Sequence, residues 1–190
     1  MRKGTRHPQG QYRIIAGKWR GRRIPVIDQP GLRPTPDRVR ETVFNWLAPL
    51  LPGCRCLDLF AGAGALGLEA ASRGAAQVVM VDSSRPVVVE LRAVVEQLRA
   101  DTIELVQSDA LAFLRGPPEA FDVVFLDPPY AAHLLESTLR QLHEGWLSSD
   151  AVLYLEHAVA EAPPELPEGW EYHRSKRTSQ VGYHLVQCRA

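Results

Sequence analysis

Leu57-Asp58-Leu59-Phe60-Ala61-Gly62-Ala63-Gly64-Ala65-Leu66-Gly67 runs from an apolar strand through Gly62-x-Gly64-x-x-Gly67 into a helix. Glycines at these places let the backbone turn sharply and let a ligand approach the helix amino terminus. In an open α/β sheet, ligands bind outside the carboxyl ends of the strands. Asp82 ends the next apolar run about 20 residues after Gly62, the spacing at which a carboxylate meets the ribose hydroxyls of a nucleotide. To this point the pattern also fits a dinucleotide fingerprint. Asp58 separates the two readings, because a carboxylate beside the turn repels a pyrophosphate and attracts a cation. S-adenosylmethionine carries a sulfonium and an ammonium and no phosphate. Asp58, Phe60, Gly62, Gly64 and Asp82 are the cofactor-binding candidates. Asp109, at the end of the third strand, is a further one for the adenine end, and a helix N-cap is its alternative role.

Outward from this motif, apolar runs alternate with amphipathic stretches. Cys56 to Phe60 is followed by Leu66 to Arg73, and Val78 to Asp82 by Val87 to Leu98. Ile103 to Asp109 is followed by Ala110 to Leu114, Phe121 to Asp127 by Leu134 to His143, and then comes Ala151 to Glu156. Val87, Leu91, Val94, Val95 and Leu98 form the stripe of a helix lying on a sheet. Strands apolar throughout and alternating with helices predict a parallel sheet covered on both faces. Trp170 to Thr178 and Val181 to Gln187 leave no room for a helix between them and predict a terminal antiparallel hairpin.

The fourth strand ends in Asp127-Pro128-Pro129-Tyr130. Two prolines remove two amide donors and hold the local carbonyls outward as acceptors. A carboxylate and a carbonyl can grip both N–H groups of an exocyclic amine, favouring the pyramidal geometry that frees its lone pair. Tyr130 offers a face for base stacking. These four residues are the catalytic candidates.

The net charge of zero conceals a segregation. Residues 1–40 carry eleven Lys and Arg against two acids, residues 41–171 seven Arg against twenty acids, and residues 172–190 four basic groups and no acid. Basic ends on an acidic body suit a polyanion, with a solvated basic tail as the alternative. Residues 12–16 and 22–27 read as a basic hairpin turning at Gly17 to Gly21. Thr35 then caps a helix with Pro36 at its first position and Val39, Val43 and Leu47 on one face. The RNA-binding candidates are Arg13, Lys18, Trp19, Arg20, Arg22, Arg23, Arg33 and Arg38. Packing on the main domain is the alternative for Trp19, and a structural ion pair with Glu41 is the alternative for Arg38. Arg174, Lys176 and Arg177 supply the second basic end. Residues 1–34 are expected to form a basic extension and 35–190 the catalytic domain, so deleting residues 1–23 should lower RNA affinity and spare the cofactor. Three cysteines without a ligand or disulfide pattern, six scattered histidines, no secretory h-region and no apolar run near the roughly 18 residues of a membrane span predict a cytoplasmic protein with no metal and no membrane.

Arg13 to Gly21, Leu32 to Glu41, Phe44 to Leu47, Asp58 to Gly74 and Asp127 to Tyr130 together resemble the RsmD family of bacterial 16S ribosomal RNA guanine-N2 methyltransferases over nearly the whole chain. The resemblance implies a Rossmann-like, seven-stranded, mostly parallel methyltransferase sheet, S-adenosylmethionine as cofactor, and a monomer. It also implies a substrate guanine, guanine 966, in the small ribosomal subunit or its assembly intermediate. By the same resemblance Asp127 and the Pro128 region grip the guanine amine and Tyr130 stacks on the base; Thr35 is a further cofactor-binding candidate. Three other readings remain beside it: an adenine-N6 methyltransferase acting on DNA or another RNA, an RNA-binding module without catalysis, and a nicotinamide-dependent oxidoreductase.

Overall fold

The computed structural model describes residues 10–26, 35–129 and 134–189. The chain opens with an antiparallel hairpin, β1 (Gly10–Arg13) and β2 (Arg23–Val26), in register Tyr12 opposite Ile24. The helix α1 (Asp37–Leu47) follows, and then an alternating series begins. It runs β3 (Arg55–Asp58), α2 (Ala65–Ser72), β4 (Gln77–Asp82), α3 (Arg85–Leu98), β5 (Ile103–Gln107), α4 (Ala110–Leu114), β6 (Phe121–Leu126), α5 (Leu135–Leu142) and β7 (Leu147–Ala158). The chain ends in the antiparallel pair β8 (Trp170–Arg177) and β9 (Val181–Cys188). Seven strands form one sheet in the order β5-β4-β3-β6-β7-β9-β8, parallel except for β9 between β7 and β8. The Rossmann-like sheet and its terminal hairpin are as expected from sequence. No described helix is long and apolar enough to cross a membrane.

The strands are apolar on both sides because both faces are covered. One face packs Cys56, Val78, Met80, Val123, Phe125 and Tyr154 under α1, α2, α3 and the hairpin. The other packs Leu57, Val79, Val124, Leu126, Leu153 and Leu155 under α4 and α5. In α3, Val87, Val88, Leu91 and Val94 are buried, and Arg85 with Pro86 opens the helix where a missing amide costs nothing.

Three expectations are corrected. Thr35 does not cap α1: Pro36 takes the N-cap position with no side-chain cap bond, and the Thr35 hydroxyl instead donates to Asp127 Oδ2 at 3.2 Å. Trp19 is not a free stacking platform, because its ring is buried in the core beside the hairpin, its amide donates to Ser72 Oγ at 3.0 Å, and Lys18 Nζ sits 4.2 Å above the ring. Deleting residues 1–23 would not spare the domain, since Tyr12, Ile14 and Trp19 belong to the main core.

What fastens the hairpin is a buried ionic knot. Glu69 on α2, fully buried, accepts the backbone N–H groups of Ile15 at 2.8 Å and Ala16 at 3.0 Å and the Nε–H of Arg73 at 2.7 Å. Arg40 on α1, also fully buried, lies 3.7 Å from Glu69 and donates to Asp37 at 2.6 Å and to the Arg13 carbonyl at 2.9 Å. Tyr12 stacks under Arg40, and its hydroxyl donates to the Ala63 carbonyl inside the glycine loop at 2.9 Å. The hairpin is thereby tied to the glycine loop after β3.

Candidate active site

The loop after β3 and the end of β6 meet where the strand order reverses, at the carboxyl edge of the sheet, the usual ligand position in an open α/β fold. Gly64 has φ 80° and is packed so tightly that a Cβ would come within 2.6 Å of Leu91. At Gly67 a Cβ would meet Met80 at 2.8 Å, and its amide donates to Asp58 Oδ2 at 3.0 Å. Both glycines therefore serve close packing of α2 on the sheet as well as the turn. Asp58 is almost fully buried, and its Oδ1 has no hydrogen-bond partner among the described residues. Burial pushes its carboxyl up to about 7, against the pull of the Gly67 and Phe60 amides, and the Asp82 charge adds to the rise. A buried carboxylate oxygen left without a partner is costly unless a donor arrives.

Asp82 ends β4 facing the same loop. Its Oδ2 accepts the Gly62 N–H at 2.9 Å and its Oδ1 the Ser84 N–H at 2.8 Å. Each oxygen keeps a second lone pair for another donor. Asp109 is exposed and caps α4 by accepting the Ala112 N–H at 3.0 Å, the alternative considered for it. Phe60 is half-buried in the loop.

Asp127 is half-buried beyond the end of β6, Pro128 buried and Pro129 exposed. Tyr130 and Arg33 lie outside the described residues. Burial lifts the Asp127 carboxyl well above the ordinary carboxylate range, the Glu156 charge lifts it further, and the Thr35 hydroxyl opposes both. Glu156, on β7, is the residue that sequence reasoning missed. The register pairs Leu126 with Leu155, which sets Asp127 beside Glu156, and the Tyr154 hydroxyl donates to Glu156 Oε2 at 2.6 Å. The same row continues from Glu156 to Tyr183 on β9 and Lys176 on β8.

Lys176 lies 5.9 Å over the Trp46 ring of α1, which stacks on Tyr183. Arg174, Lys176 and Arg177 are exposed at this edge of the sheet. Arg13, Lys18, Arg20, Arg22 and Arg23 are exposed on the hairpin, with Arg13 3.9 Å from Asp37. Arg38 and Glu41 are both exposed, without an ion pair between them. Among the described residues no group of three or more His, Cys, Asp or Glu could hold a metal ion.

The chain is similar to known proteins over nearly its full length. The family model described as Conserved hypothetical protein 95 matches residues 12–187. Ribosomal RNA small subunit methyltransferase D of Escherichia coli strain K12 is 47% identical over 191 residues, 100% of this chain and 96% of that protein. Its namesake in Haemophilus influenzae is 42% identical over 188 residues, 96% of this chain and 97% of that protein. The solved structure of Escherichia coli yhhF superposes with a TM-score of 0.90 at 44% identity, covering 95% of this chain and 99% of that one. By sequence over nearly its full length and by fold, this chain belongs to the RsmD family of methyltransferases.

Proposed function

We propose that the chain uses S-adenosylmethionine to methylate the N2 amine of a guanine in 16S rRNA, guanine 966 by the family resemblance, within the small ribosomal subunit or its assembly intermediate. The observation that carries the cofactor reading is the partnerless, buried Oδ1 of Asp58 beside the glycine loop. A cationic amine donating there would satisfy the orphaned oxygen and hold the carboxyl ionised, whereas a pyrophosphate would be repelled. Asp82, Gly62, Gly64, Phe60 and Asp109 complete the cofactor side, and Asp82 has lone pairs left for ribose hydroxyls. The cofactor supplies an already activated methyl group, so the protein's task is to position the amine.

Asp127 and the Pro128 region hold the amine, Tyr130 stacks on its base, and Thr35 braces Asp127 at 3.2 Å. RNA docking falls to the two basic ends. The register row sets Lys176 three strands from Asp127, about 15 Å at about 4.8 Å per strand. The exposed arginines of the hairpin, together with Arg33 and Arg38, supply the other side of this phosphate-binding rim. In this reading residues 1–34 serve docking and residues 35–190 chemistry, in a monomeric cytoplasmic enzyme. Calorimetric titration with S-adenosylhomocysteine and with NAD tests the cofactor. Binding of the first alone is expected, and binding of NAD alone would refute the assignment.

A further inference from the structure

Asp127 has a carboxyl neighbour that the grip on an amine does not require. The β6–β7 register places Glu156 beside it on the face that also carries Phe125 and Tyr154. Each carboxyl has its own hydroxyl donor, Thr35 on Asp127 and Tyr154 on Glu156. Among the described residues, the charged and titratable groups facing the pair are Asp58 from β3, Tyr154 from β7 itself and Tyr183 from β9, with the Thr35 hydroxyl ahead of α1. Glu156 is almost fully buried. Two carboxyls so close in a low-dielectric setting do not both ionise near neutral pH, because like charges there repel strongly.

Resting on the amine-methylation reading above, we propose that Asp127 and Glu156 share one proton and that Glu156 is the positioning residue that stores the proton released from the target amine. In the resting pair Asp127 keeps a proton and donates it to the Glu156 carboxylate, which the Tyr154 hydroxyl also supports. The amine donates to the unprotonated oxygen of Asp127, which keeps a lone pair for it. As the nitrogen lone pair forms the N–C bond, the S–C bond breaks with its electrons left on sulfur, turning the sulfonium into a neutral thioether. The amine nitrogen then loses one N–H proton to Asp127, while the Asp127 proton passes to Glu156. The pair starts with one proton and ends with two, and solvent takes the extra one after product leaves. The elevated proton affinity of Asp127 agrees with this order.

The test combines carboxyl 13C NMR titration of the cofactor-free protein with the pH profile of single-turnover methyl transfer to 16S rRNA particles. In the wild type the pair should release its protons in two widely separated steps. Glu156→Gln should collapse these into one step lying between them, and should move the acid limb of the rate profile upward to that step. Near neutral pH the rate should then fall about tenfold or more and recover as the pH rises, with little change in KM. Tyr154→Phe, which keeps both carboxyls, should move the first step and the acid limb upward by a smaller amount, and it stands in if Glu156→Gln does not fold. Unmoved titration steps and rate profiles in these variants, or an equal loss of rate at every pH, would overturn the inference while leaving the methyltransferase reading in place. A wild type that transfers no methyl group would overturn both.

Discussion

Replacing Glu69 by Gln should destabilise this protein strongly without touching the site. The carboxylate is fully buried, accepts three donors, the amides of Ile15 and Ala16 and the Arg73 Nε–H at 2.7 Å, and lies 3.7 Å from the Arg40 guanidinium. An amide in its place has one acceptor oxygen, and its NH2 must face at least one N–H donor. The change also leaves the fully buried Arg40 with Asp37 as its remaining close carboxylate. Removing one partner of a buried pair costs about 3–5 kcal/mol, a large share of the roughly 5–15 kcal/mol that holds a domain together. The loss should appear in urea unfolding at neutral pH as a lower midpoint with an unchanged slope. Ile15 and Ala16 donate to different oxygens of Glu69, so native-state hydrogen exchange should show protection falling first at whichever of the two amides faces the new NH2. A destabilisation below about 1 kcal/mol, or unchanged protection at those two amides, would refute the idea that this knot fastens the hairpin.

Asp127→Ala should abolish methyl transfer while leaving the cofactor dissociation constant unchanged by calorimetry; an equal loss of cofactor affinity would put Asp127 in the wrong pocket. Asp82→Ala should weaken S-adenosylhomocysteine binding by about 1.5–3 kcal/mol, the worth of hydrogen bonds to a charged acceptor, and an unchanged constant would remove it from the site. The folded Asp58 carboxyl titrates at about 7 instead of the 3.8 of a free group. It therefore favours folding below about pH 4, and that contribution is lost as the pH rises toward 7. Cofactor affinity should run the other way, strengthening up to about pH 7 as the carboxylate forms and then levelling, with Asp58→Asn abolishing the trend. Arg20, Arg22 and Arg23 changed together to Gln should lower the log–log salt slope of RNA binding by roughly 0.7–0.9 per lost phosphate contact, with cofactor binding as the control.

The chemistry legible in the sequence was carried by short segments. Gly62-x-Gly64-x-x-Gly67, Asp58, Asp82 and Asp127-Pro128-Pro129 each report a strand end within a few residues of themselves, and period and punctuation place the nine described strands to within a few residues. Long-range partners were not legible. Glu156 acquires its meaning only from the β6–β7 register, which sets it beside a residue 29 positions earlier. The available signal was an acid closing the otherwise apolar Val152-Leu153-Tyr154-Leu155. Arg40 and Glu69 likewise find each other across the fold, and the clue was a charge lodged within an apolar helix face, Arg40 beside Val39 and Val43, and Glu69 between Leu68 and Ala70. Trp19 takes its packing alternative, core burial over exposure on a basic turn, and Thr35 leaves the N-cap expected of it for a tertiary contact with Asp127.

The most direct test of the account is incubation of the purified protein with methyl-labelled S-adenosylmethionine and small ribosomal subunits lacking their own methylation, followed by nucleoside analysis of the digested 16S rRNA. Label should appear in N2-methylguanosine at a single position, and none should appear when Asp127→Ala replaces the wild type. Label in N6-methyladenosine, or no label in RNA despite binding of S-adenosylhomocysteine, would contradict it.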